Sequence, residues 1–155
     1  MFLHSIQKTL LIASLVCLPA AASFAADHHI PPGQQVPFTL TCSSGNFTGV
    51  VEGVMGNHFQ VGKWVHTTRY KITRSNGQKG GNKANINLYA AKSPNWGEGK
   101  ASSADAMKQD GKWHNLNLSR SNMAVGSAEV ELYYGFVFDK SGSDPSCATS
   151  SKTFT

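Results

Sequence analysis

No stretch of this chain is apolar for long enough to cross a bilayer as a helix, which takes roughly 20 residues. Cysteine is scarce, three in 155 residues, and no C-x-x-C spacing occurs, which argues against a two-thiol metal or catalytic site. The basic residues beyond the N-terminus stand singly from Lys63 to Lys152. Nucleic-acid binding wants a clustered basic stripe interleaved with aromatics and is not expected. A G-x-S-x-G elbow, an H-E-x-x-H and a phosphate-cradling glycine motif are also missing. Glycoside hydrolysis needs two carboxylates about 5 to 9.5 Å apart, but Glu52, Glu98, Asp105, Asp110, Glu129 and Glu131 fall in different segments. The expectation is a protein that binds without catalysing.

What is present begins with a leader. His4 and Lys8 precede an apolar run from Leu10 to Leu18, and small residues follow up to Ala25. This is the pattern of a secretory signal peptide. Ser23 and Ala25 supply the small residues a processing site wants, whereas a cut after Ala26 would place Phe24 in the third-last slot, so residues 1–25 are expected to be removed. Cys17 lacks the small preceding residue of a lipid-modified cysteine. The product, residues 26–155, is the size of one domain, carries 13 Lys and Arg against 9 Asp and Glu, and is expected in the periplasm or outside the cell. Its modest positive charge suits an anionic partner. Cys42 and Cys147 are its two cysteines, and an exported pair forms a disulfide in an oxidising compartment. Closing a loop of roughly 100 residues stabilises by about 4–5 kcal/mol on the chain-entropy model.

Apolar residues then recur at every second position, the signature of half-buried strands. Val36, Phe38, Leu40 and Cys42 form one such set, with Pro37 marking an edge strand. Asn46 to Met55 forms the next strand, and Gly56-Asn57 reads as a hairpin turn. His58 to Arg74 changes parity, which predicts a bend near Gly62 and sets Trp64 on the apolar face with Tyr70 and Ile72. The polar loop Ser75 to Asn82 leads into Ala84, Ile86, Leu88 and Ala90 as a second hairpin. A short helix is possible over 103–109, capped by Ser103 and ending by Gly111. Leu116 and Leu118 face away from Trp113, Asn115 and Asn117. Val130, Leu132, Tyr134, Phe136 and Phe138 point inward. The tail from Ser141 is expected to run over the surface, pinned by Cys147. The fold class is all-β: an antiparallel sandwich of roughly six to eight strands, or a small closed barrel as second choice.

Three features invite a functional reading. Trp113 with Asn115 and Asn117, and Trp96 with Asn95 in the loop 92–111, pair an aromatic ring with amides, which suits stacking on a sugar and bonding its hydroxyls; the alternative is that both rings are packing lids. A chain starting at Ala26 offers an amine, two amide nitrogens and the His28 imidazole, so Ala26, Asp27 and His28 suit square-planar Cu(II) or Ni(II). His66, beside Trp64 and Tyr70, and His114, beside Leu116, sit on apolar parity and read as buried or half-buried and hydrogen-bonded, and His58 reads as exposed. The sequons Asn46-Phe47-Thr48 and Asn117-Leu118-Ser119 matter only where exported proteins are glycosylated. The functional expectation is therefore an exported domain that recognises a glycan or anionic surface polymer through the loop 92–111 and the Trp113 face. The alternatives are a protein-directed inhibitor or immunity factor, and copper or nickel handling by the N-terminus.

Overall fold

The computed structural model describes residues 28–92, 99–123, 128–150 and 152–155. The period-2 pattern becomes two antiparallel sheets packed face to face. The first contains β1 (Gln35–Ser44), β2 (Phe47–His58), β3 (Gly62–Arg74) and β6 (His114–Arg120), in the order β1-β2-β3-β6. The second contains β4 (Asn85–Lys92), β5 (Lys100–Ser102), β7 (Val130–Val137) and β8 (Ser146–Ala148) in the order β5-β4-β7-β8, with β9 (Lys152–Phe154) also on β7. The fold is the expected β-sandwich. Its nine strands among the described residues exceed the expected number because β5, β8 and β9 have three residues each.

The alternation places the core as read. Phe38 and Leu40 from β1 meet Val130, Leu132, Tyr134, Phe136 and Phe138, the last five fully buried. Pro37 lies in β1, an edge of its sheet, where it costs no ladder bond. Gly49 lets the sheets approach: a Cβ there would lie 2.4 Å from the Phe136 ring. The Cys42–Cys147 disulfide joins β1 to β8 across the sandwich, with Cα atoms 5.9 Å apart.

Several local expectations are corrected. Gly56-Asn57 is not a turn but the end of β2, paired with Trp64 and Lys63. The Asn57 side chain is buried and donates to the Ile30 carbonyl at 2.8 Å. The chain instead reverses at Phe59 to Val61 and returns through Gly62 at φ 76°, a three-residue loop closed by a left-handed glycine. The change of parity in β3 comes at Thr68, where the pairing with both β2 and β6 slips. Val65 and Thr67 are buried before it, Tyr70 and Ile72 after it. Trp64 therefore does not share a face with Tyr70; it is half-buried, on the outer side and over Gly56.

β3 and β4 form no hairpin. Both edges of β3 are occupied, by β2 and β6, so the polar loop carries the chain across to the other sheet. No helix forms over 103–109, because neighbouring strands take the backbone hydrogen bonds a helix would need. Ser103 N donates to Ile86 O, Met107 N to Ala84 O and Lys108 N to the Tyr70 hydroxyl. The tail is not draped over the surface: β8 and β9 extend the second sheet, and Phe154 is fully buried.

Candidate binding face

The bulge at Thr68 decides what the outer face of the first sheet displays. By register, Thr39, Glu52, Arg69 and Asn115 form one row across β1, β2, β3 and β6. Trp113 immediately precedes β6, and two cations stack on its ring. The Arg69 guanidinium carbon lies 4.5 Å from the ring centroid and Lys71 Nζ 4.8 Å. Arg69 Nε also donates to Glu52 Oε2 at 2.6 Å. Asn115 and Asn117 are exposed beside the cluster, as the alternation required. Cation–π contacts at such exposed sites are worth about 0.5–1 kcal/mol, and an exposed ion pair about 0–1 kcal/mol. The cluster orders charge more than it holds the fold.

Next to it, the slipped pairing opens a groove of about 490 Å³ lined by Pro37, Thr39, Glu52, Val54, Thr68 and Arg69. Further along the same face lie Trp64 and His66, whose Nδ1 meets Ser119 Oγ at 2.7 Å. Sequence periodicity found Trp113, Asn115 and Asn117 but missed Arg69, Lys71 and the outward Trp64, since it puts the change of parity near Gly62 and the bulge lies at Thr68. Asn95 and Trp96 lie outside the described residues.

Below Trp113 the loop is pinned by His114 Nε2 and Asp110 Oδ1 at 2.8 Å. That bond, with a second from Lys112 N, holds the Asp110 carboxyl below its ordinary value. The His114 ring packs 5.4 Å from Tyr70, whose phenol is raised by burial. His66 and His114 are thus half-buried and hydrogen-bonded and His58 is exposed. His66, however, lies on the outer face with Trp64 and not on the face of Tyr70, because the bulge at Thr68 falls between them. Glu52 and Asp110 each face a basic side chain.

At the N-terminal end, Ala26 and Asp27 lie outside the described residues. His28 forms a bridge to β9: its amide donates to Thr153 O at 3.2 Å, its carbonyl accepts from Thr155 N at 3.0 Å, and its ring stacks on Phe154 at 5.6 Å. A square-planar site through that amide nitrogen requires the Thr153 bond to break. Among the described residues no group of three or more His, Cys, Asp or Glu is gathered to hold a metal.

Comparison with protein-family models, curated proteins and solved structures gives no match.

Proposed function

We propose that this chain is an exported, non-catalytic binding domain whose outer face on the first sheet engages an acidic surface glycan. The observation that carries the reading is the Arg69, Trp113 and Lys71 stack, flanked by the exposed amides of Asn115 and Asn117. The Trp113 ring orders two cations, and a cation already seated on the ring competes with a neutral sugar for it. Carboxylate or sulfate groups on a polymer suit the cations, and the amides suit its hydroxyls. Export rests on the leader, which lies outside the described residues, and on the disulfide, a bond of oxidising compartments. Among the described residues no helix is long and apolar enough to cross a membrane.

The test is binding to polygalacturonate and alginate, with dextran as the uncharged control, across a series of salt concentrations. The expected result is affinity for the polyanions that falls as salt rises and drops about tenfold or more in Arg69→Ala/Lys71→Ala. Salt-independent binding, or binding the double variant retains in full, would overturn the reading.

One observation favours the protein-directed alternative. Phe59 and Val61, at the β2–β3 turn, are the exposed large hydrophobics of the described residues, at 72% and 46%. An apolar tip of this kind suits insertion into a pocket of a partner protein. A stoichiometric complex lost in Phe59→Ser, with no polyanion affinity, is the outcome that reading expects.

A further inference from the structure

The outer face of the second sheet is built differently. Register places three rows on it: Lys100, Tyr89 and Tyr133; Ser102, Asn87, Gly135 and Ala148; and Asn85, Val137 and Ser146. The first row is tall and aromatic, with the Tyr89 and Tyr133 rings stacked at 4.5 Å and 6° between planes. The middle row sinks at Gly135 and Ala148, where side chains are missing or minimal. A groove of about 320 Å³ results, walled by the tyrosines on one side and by Val137 and Ser146 on the other.

Its chemistry is specific. In a chain of net charge +5, every residue lining this groove is uncharged. Asn87 stands beside the low floor with its amide held in place: Oδ1 accepts from Ser102 Oγ at 2.7 Å, and Nδ2 donates to Asn85 Oδ1 at 3.3 Å. A carboxamide has two N–H donors and two acceptor lone pairs, so one of each remains for a ligand. The groove is at the small end of ligand sites, which run from about 300 Å³. Lys100 lies outside the lining, its Nζ 5.7 Å from the Tyr89 ring centroid. The lining itself, an aromatic wall, a fixed amide and a serine hydroxyl without charge, matches a molecule that has hydroxyls at its edges, an apolar face and no net charge.

We infer that the groove over Gly135 is a second binding site, for one or two rings of an uncharged saccharide, on the sheet opposite the Arg69 and Trp113 face. The site stands without the polyanion reading. Gly135 lies in β7 with no left-handed φ, and a Cβ there would make ordinary contact, 3.5 Å from Tyr89 and 3.9 Å from Asn87. Valine at this position fills the groove without straining the backbone.

The test is titration of the processed chain with uncharged oligosaccharides (cellohexaose, xylohexaose, mannohexaose and chitohexaose) up to their solubility limits, read by amide chemical shifts and calorimetry. For at least one of them, shifts centred on Asn87, Tyr89, Gly135 and Ala148 are expected, with affinity reduced about tenfold or more by Gly135→Val and unchanged by Arg69→Ala. Ala148→Arg, on an exposed position, is the second block should valine disturb the fold. Shifts absent from these residues across the whole panel, shifts confined to the Trp113 face, or affinity that survives both blocks would overturn the inference.

Discussion

Trp113 shows how little energy is needed to organise a surface. Its contacts with Arg69 and Lys71 and the Arg69–Glu52 pair are each worth about 1 kcal/mol or less in stability. Arg69→Ala/Lys71→Ala should therefore lower the denaturant midpoint only slightly while removing polyanion binding, a split that a purely structural cluster would not produce. Tyr134 is the opposite case. Its hydroxyl meets Thr67 Oγ1 at 2.5 Å in the core, and burial raises the phenol well above its usual value. Tyr134→Phe leaves a buried Thr67 hydroxyl without that partner and should cost about 1–3 kcal/mol by chemical denaturation. Asp110 adds a pH signature. Its folded carboxyl is held below the ordinary value of 3.8 by His114 and Lys112, so the folded state binds this proton less readily than the unfolded state. The contribution is present above 3.8 and is lost as pH falls through the lowered folded value. The difference in melting temperature between the native chain and Asp110→Asn should accordingly vanish in strong acid and be complete above pH 3.8.

At the scale of strands, one inserted residue has the largest consequence. Thr68 lets β3 bury Val65 and Thr67 on one side of the bulge and Tyr70 and Ile72 on the other. Deleting Thr68 would put the second half of the strand out of register, turning Tyr70 and Ile72 outward and Arg69 and Lys71 inward. The expected result is loss of cooperative unfolding and of dispersed amide resonances; a native-like spectrum from the deletion variant would contradict this view of β3. The same bulge explains what the alternation could and could not reveal. β7 was legible because Val130 to Phe138 keeps one unbroken parity between two faces of different polarity. Trp64 was misplaced because the parity change lies at Thr68 and not near Gly62. The helix over 103–109 failed because Ser103 and Met107 bond to Ile86 and Ala84, partners far away in sequence. Asn115 and Asn117 could be read as exposed, but the cations beside them arrive from β3, which no local pattern announces.

For the whole molecule, the disulfide is the long-range restraint. It links residues 105 apart and ties β1 of one sheet to β8 of the other. Replacing Cys42 and Cys147 by serine should cost about 4–5 kcal/mol on the chain-entropy model, read as a lower denaturant midpoint, with the β-sheet spectrum kept where folding persists. The two sheets also present different outer chemistry: the Arg69, Lys71 and Trp113 cluster on one side, and on the other an uncharged groove with a tyrosine wall, beside Lys100. The most direct measurement of the central claim is the amide chemical-shift footprint of polygalacturonate fragments on the processed chain at low salt. The account predicts perturbations concentrated at Glu52, Arg69, Lys71, Trp113 and Asn115; a footprint at Phe59 to Val61 alone, or none in that cluster, would contradict it.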